Sequence, residues 1–212
     1  MKSVIIAHGK LGKEDIVEKE CSTADIIICA DGGAEYVYKR NIIPDYLVGD
    51  FDSIDKGILE HFESRKVNII RFPKEKDYTD TEICVLKAIE FGSTEICILA
   101  GVGSRIDHSL GNIFLLSSLY DRGIRGYIAS SDSYIYLCRD EITIEGNRGD
   151  IISIIPLKGD AQGIYTSGLK YSLNNGTISF GRAYGVSNEM TGSVCSIKIT
   201  SGEVLVIKTH DI

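Results

Sequence analysis

The chain has 212 residues, with 30 acidic side chains against 23 basic ones and a formal net charge of −7. At 43% apolar and 25% charged residues it can build the core of one large domain or two small ones, and the composition is neither disordered nor fibrous. An acidic excess with no Lys/Arg-rich run repels a nucleic-acid backbone, so no nucleic-acid partner is expected.

In Met1-Lys2-Ser3-Val4-Ile5-Ile6-Ala7-His8-Gly9 the apolar stretch is far shorter than a secretion signal or a membrane span requires. A cytoplasmic protein with no membrane partner is expected. The cysteines (Cys21, Cys29, Cys84, Cys97, Cys138 and Cys195) are widely spaced, with no CxxC pair and no His/Cys cluster, and read as buried thiols of a reducing compartment.

Up to about residue 130, short apolar runs alternate with helical patterns. Strands are predicted at residues 4–7, 26–30, 46–48, 68–71, 96–100 and 126–129. The interleaved helices include 81–91, with Ile83, Val85, Leu86 and Ile89 on one stripe before Gly92, and 109–120, with Leu110, Ile113, Phe114 and Leu116. This order predicts an α/β fold, a mostly parallel sheet with flanking helices. From about Tyr134 strand-length runs (134–138, 141–144, 150–155, 194–199 and 204–208) are separated by Gly, Asn and Asp turns, among them Asn174-Asn175-Gly176. A small all-β sandwich domain is predicted there, which divides the chain into domains 1–130 and 131–212.

Aspartates recur just past the predicted strand ends. Asp31 follows strand 26–30 and precedes Gly32-Gly33, while Asp50 and Asp52 follow strand 46–48 in Gly49-Asp50-Phe51-Asp52-Ser53. In an open parallel sheet those ends share one edge, where ligands bind. Two aspartates at i and i+2 on an extended segment point the same way, with Cα atoms roughly 6 to 7 Å apart. A gathering of such carboxylates calls for a positive partner, and Mg²⁺, which binds through a few carboxylates and substrate phosphates, is the natural candidate. A structural reading is also open: a solvated turn in which Asp52 or Ser53 caps a helix near 54–63.

Two further segments fall between a strand and a helix. In Lys74-Glu75-Lys76-Asp77-Tyr78-Thr79-Asp80-Thr81-Glu82, Thr79 and Glu82 have capping-box spacing and Asp80 suits a helix start, while Lys74 and Lys76 bring ammonium groups that can meet phosphate. In Gly101-Val102-Gly103-Ser104-Arg105-Ile106-Asp107-His108 the glycines let backbone approach a ligand and Arg105 can clamp phosphate; Asp107 and His108 equally read as capping residues. Ile106 replaces the third glycine of GxGxxG, and no GxxxxGK[ST] occurs, which disfavours a dinucleotide site and a P-loop. His8, His61 and His210 have no partner nearby in sequence and draw no assignment.

Carboxylates suited to Mg²⁺, a few cations and a glycine loop at one sheet edge point to phosphoryl or pyrophosphoryl transfer, which needs positioning and charge neutralisation more than a nucleophile. A Mg²⁺-dependent nucleotide phosphohydrolase and a non-catalytic nucleotide sensor stay open on these residues.

The ordered set Ala30-Asp31-Gly32-Gly33, Pro44-Asp45, Gly49-Asp50-Phe51-Asp52-Ser53, Lys76-Asp77-Tyr78-Thr79-Asp80, Gly103-Ser104-Arg105-Ile106-Asp107-His108, Ser167-Gly168-Leu169-Lys170-Tyr171-Ser172-Leu173 and Ser187-Asn188-Glu189 resembles the bacterial thiamine pyrophosphokinase family over nearly the whole chain. The resemblance implies an ATP- and Mg²⁺-binding catalytic domain, a β-sandwich that binds thiamine and dimerises, and transfer of diphosphate from ATP to the hydroxyethyl oxygen of thiamine with release of AMP. It further implies that Asp31, Asp50, Asp52 and Asp80 hold Mg²⁺ and that Lys76 and Arg105 balance negative charge. Asp77, Thr79 and Asp107 would line the thiamine or phosphate pocket, and Ser187 and Asn188 of the partner subunit in a homodimer would receive the aminopyrimidine. Physically, an acidic cleft suits a thiazolium cation. With no tryptophan in the chain, aromatic contacts to thiamine fall to tyrosine or phenylalanine.

Overall fold

A computed structural model describes residues 1–11, 15–52, 54–75 and 77–210. The chain forms two compact units, Met1–Ser131 and Asp132–Ile212.

The first unit is a parallel α/β sheet. Its strands are β1 (Lys2–Ile6), β2 (Ile26–Ala30), β3 (Tyr46–Gly49), β4 (Asn68–Arg71), β5 (Glu95–Leu99) and β6 (Arg125–Ala129), in the order β4-β3-β2-β1-β5-β6 with every pairing parallel. The central strands are buried on both faces, as their unbroken apolar runs require: Val4, Ile5 and Ile6, and Ile96 to Leu99, are fully buried. The helices are α1 (Asp15–Cys21), α2 (Ala34–Tyr38), α3 (Lys56–Ser64), α4 (Asp80–Glu90) and α5 (Ile106–Asp121), and a single 3₁₀ turn, Asp31–Gly33, joins β2 to α2.

Helix starts follow local capping chemistry, with one change from expectation. Asp52 does not cap α3: Asp55 does, its carboxylate accepting the N–H groups of Gly57 and Ile58 at 2.8 and 3.3 Å, while Ser53 lies outside the described residues. Thr79 caps α4 by accepting the Glu82 N–H at 3.1 Å.

The helix stripes also differ from the apolar pattern. On α4 the face against the sheet carries Thr81, Cys84, Val85 and Ala88 with Ile83, whereas Leu86 is exposed. On α5 the buried residues are Asn112, Leu116 and Leu119, and Gly126 of β6 gives Leu119 the room to approach, since a Cβ there would lie 2.6 Å from Leu119 Cδ1. Leu110 and Phe114 therefore point outward with Ile106, so that Ile106, Leu110 and Phe114 form a row at i, i+4 and i+8 that is 71%, 47% and 55% exposed.

The second unit is a β-sandwich. One antiparallel layer runs β12 (Asn188–Glu189), β9 (Ile151–Pro156), β14 (Val204–Thr209), β7 (Ser133–Cys138); the other runs β11 (Gly176–Ile178), β10 (Ala161–Ser167), β13 (Val194–Lys198), β8 (Glu141–Glu145). Ile152, Ile154 and Val206 from the first layer meet Ile164, Ile178 and Ile197 from the second in a shared core. Strand β10 is absent from the sequence pattern because Gly163, at φ +61°, sits in a register break between Gln162 and Ile164 that interrupts the alternation.

Candidate active site

Because β1, β2, β3 and β5 run parallel, the segments after them emerge along one edge of the sheet. A cleft of about 540 Å³ opens there, bounded by the ends of β1 and β2, the start of α4, and the glycine loop that leads into α5.

Asp31 starts the 3₁₀ turn in a left-handed conformation, φ +45°. Neighbouring glycines make that turn possible. A Cβ on Gly33 would sit 2.1 Å from the Ile6 carbonyl oxygen, and one on Gly32 would fall 2.3 to 2.7 Å from three atoms of the His8 ring. Next door, a Cβ on Gly49 would lie 3.1 Å from that of Asp31, so the end of β3 packs directly on this aspartate. Left-handed non-glycine residues recur around the edge: Phe51 at φ +62° and Ala100 at φ +52°. Such conformations are sparsely populated and concentrate where a fold holds functional groups in place.

Phe51 changes the geometry expected for Asp50 and Asp52. The segment is not extended; the chain turns at the buried Phe51, and Asp50 Oδ1 accepts the Asp52 N–H at 3.0 Å. Asp52 is exposed and its Oδ2 lies 2.9 Å from Lys74 Nζ. The hydrogen bond to Asp52, reinforced by the Asp52 and Asp50 charges, raises the Lys74 pKa.

Asp80 opens α4 and lines the cleft with its cap, Thr79. Arg105 lines it as well, paired to its neighbour two residues on: Nη2 is 2.5 Å and Nε 3.3 Å from the Asp107 carboxylate, whose pKa the bonded guanidinium lowers. Asp107 is thus engaged with Arg105 and makes no cap; Ser109 instead ties the loop together, its Oγ accepting from Gly103 N at 3.0 Å and donating to the Arg105 carbonyl at 2.9 Å.

Of the expected first-unit residues, Asp31, Thr79, Asp80 and Arg105 line the cleft; Asp50, Asp52, Asp77 and Asp107 are not among its lining residues, and Lys76 lies outside the described residues. Among the described residues no group of three or more His, Cys, Asp or Glu side chains forms a ready metal cage. The donor set still suits Mg²⁺ carried on a nucleotide, since that ion takes one or two protein carboxylates and fills its shell with phosphate oxygens and water.

The sequence reading missed His8, Lys10 and Asn112, which line the same cleft. The Asn112 amide donates to the Gly101 carbonyl at 2.7 Å and holds the glycine loop from below. The available signal was topological: His8 follows a central parallel strand, so it shares the edge with Asp31.

In the second unit, Ser187 is left-handed at φ +59°, and its N–H donates to Ser153 Oγ at 3.1 Å. The Asn188 side chain is bound to backbone: Oδ1 accepts from Tyr171 N at 3.0 Å, and Nδ2 donates to the Tyr171 carbonyl at 2.7 Å. Glu189 pairs with Lys170 at 2.9 Å, so β12 latches the 168–173 loop and presents the exposed Tyr171 ring beside Asn188.

A parallel α/β unit with strained aspartate turns, a glycine loop and cations at one sheet edge defines a nucleotide-handling phosphotransferase. Residues 17–128, more than half of the chain, match the thiamin pyrophosphokinase catalytic domain, and residues 140–204 match the thiamin pyrophosphokinase vitamin B1 binding domain. The chain belongs to the thiamin pyrophosphokinase family. It is 29% identical over 216 residues to the thiamine pyrophosphokinase of Bacillus subtilis, with full coverage of both chains, and 28% identical to thiamine pyrophosphokinase 3 of rice over 86% of this chain and 78% of that one. The crystal structure of the Bacillus subtilis protein superposes with a TM-score of 0.90 at 28% identity, covering all of both chains. Yeast thiamin pyrophosphokinase, at 20% identity, shares the fold with a TM-score of 0.81 over 98% of this chain and 86% of its own.

Proposed function

We propose that the chain transfers diphosphate from ATP to the hydroxyethyl oxygen of thiamine, giving thiamine diphosphate and AMP, with the sheet-edge cleft as the seat of the reaction. The observation that carries this is the convergence of Asp31, Asp80 and Arg105 with the Gly101–Gly103 loop on one cleft, in a chain that belongs to the thiamin pyrophosphokinase family.

Asp31 and Asp80, with Asp50 and Asp52 on the adjoining turn, would hold Mg²⁺ on the nucleotide. When bound, the ion neutralises phosphate charge as the bond to AMP weakens. Arg105 binds phosphate oxygens and is oriented by Asp107 before substrate arrives, which lowers the ordering cost. Thr79 fixes the first turn of α4 and therefore the carboxylate of Asp80. Lys76 joins the cations around the phosphates, and Asp77 lines the approach of the alcohol. In the second unit, Ser187 and Asn188 frame the aminopyrimidine, and Asn188 acts by holding the Tyr171 loop, whose exposed ring offers an aromatic surface in a chain without tryptophan.

A homodimer is part of this proposal, supported by the outward apolar row Ile106, Leu110 and Phe114. So is a cytoplasmic setting, in keeping with six buried cysteines that form no disulfide.

The test is mass spectrometry of protein incubated with ATP, Mg²⁺ and thiamine. Thiamine diphosphate and AMP should form together. AMP released without thiamine would establish a phosphohydrolase, and binding of both ligands without turnover would establish a sensor.

A further inference from the structure

We propose that the turn His8-Gly9-Lys10 at the end of β1 is a nucleotide-phosphate contact, with Lys10 supplying the charge and His8 a second donor beside it; this rests on the reading that the cleft takes ATP.

The backbone of the turn is fixed from three sides. Gly9 N donates to the Ala100 carbonyl at 2.9 Å, Lys10 N donates to the Val102 carbonyl at 3.2 Å, and the Tyr36 hydroxyl donates to the Gly9 carbonyl at 2.6 Å. The turn and the glycine loop are in backbone contact, because a Cβ on Gly9 would lie 2.2 Å from the Ala100 oxygen and one on Gly103 would lie 3.0 Å from Lys10 N. No side chain fits between them.

The side chains flanking Gly9 are, by contrast, uncommitted. His8 and Lys10 are exposed, both line the cleft, and among the described residues neither makes an ion pair or a side-chain hydrogen bond. Among the described residues, two other cations of this edge are held by acids: Arg105 by Asp107 and Lys74 by Asp52. An anchored backbone that offers an unpaired ammonium to a cleft with an acidic floor is suited to an anion that arrives with its own divalent cation. A polyphosphate chain has that chemistry. His8 rests its ring on Gly32, in the turn that begins with Asp31, so its position is coupled to that of the carboxylate.

The test measures binding of Mg²⁺–ATP by calorimetry in the absence of thiamine, with thiamine binding as a control. Lys10→Met should weaken ATP binding about tenfold, the contribution of one charge-assisted hydrogen bond, while Lys10→Arg retains most of it. Thiamine affinity and melting temperature should stay at wild-type values, because the turn is held through the Lys10 backbone. In turnover the KM for ATP should rise and that for thiamine should not. ATP affinity in Lys10→Met equal to wild type would overturn the proposal. For His8, the Gly32→Ala change should mimic His8→Ala and cost nothing further in the double variant; additive losses would remove His8 from the assignment. If wild-type protein made no thiamine diphosphate yet lost ATP affinity in Lys10→Met, the contact would stand and the reaction would be another. Normal synthesis with unaltered ATP affinity in that variant would leave the reaction standing and end the contact.

Discussion

Lys74 holds Asp52, Nζ to Oδ2 at 2.9 Å, and so joins the segment after β4 to the turn after β3. The ammonium occupies the carboxylate that a divalent cation would use. Both side chains are exposed, so the competition is weak. Lys74→Met should lower the Mg²⁺ concentration needed for half-maximal thermal stabilisation in the presence of ATP by about two- to fivefold. A rise in that concentration would show that Lys74 helps the cation and does not compete with it.

Asp31→Asn and Asp80→Asn should each lower kcat by about 10²- to 10³-fold, the scale of losing one preorganised charge at a phosphoryl centre. Melting temperature should stay near that of the wild type. Chelation with EDTA should abolish turnover in the unsubstituted protein, and full activity in EDTA would remove Mg²⁺ from the scheme.

Gly9→Ala places a methyl 2.2 Å from the Ala100 carbonyl oxygen. The obstructing atom is backbone, so the two loops must separate, at a cost of about 1–3 kcal/mol. Thermal denaturation should show the loss, and steady-state kinetics should show a higher KM for ATP. An unchanged melting temperature would mean that the turn is not clamped.

In the second unit, burial pushes the Asp150 carboxyl upward, but the Asn147 N–H, His210 and Lys208 outweigh it and hold its pKa below the usual range. A depressed folded-state value means that the charged form stabilises the fold above the ordinary carboxylate pKa, and that this contribution disappears as pH falls through the folded value. Asp150→Ala should therefore cost about 1–3 kcal/mol near neutrality. Melting curves of variant and wild type should converge once the pH falls below the ordinary carboxylate range. A gap that stays constant below that range would assign the cost to packing.

The cysteine thiols are buried, and burial pushes Cys21 up to about 12 and Cys138 and Cys195 up to about 11. Iodoacetamide at pH 8 should leave the native protein unmodified and label all six thiols in denaturant, as read by intact mass. Rapid labelling of the native protein would show that a thiol opens to solvent.

Much of the α/β unit was legible because its central strands are buried on both faces and so read as unbroken apolar runs, and because Thr79 with Glu82 announces the start of α4. The helix faces were less legible. Leu110 and Phe114 have core spacing yet point outward, since the sheet-facing side of α5 is set by Leu119 fitting over Gly126, a contact between distant residues. At the site, Asp31 and Asp80 could be placed from their position past strand ends. The turn at Phe51 could not, because a left-handed aromatic residue has no sequence signature, and it takes Asp52 away from the alignment that an extended segment would give. His8 drew no assignment because its one signal is its place just past a central parallel strand, and its neighbour, the bare α-carbon of Gly32, adds no charge or spacing pattern.

The interlock of Gly9 with Ala100 and of Gly103 with Lys10 has a consequence for how such a chain can diversify. Neither loop can gain a residue or a bulky side chain unless its neighbour changes to match, so natural length variation in this unit should fall in the connections at the opposite end of the strands, and grafting one of these loops from a relative should succeed only when both are exchanged as a pair.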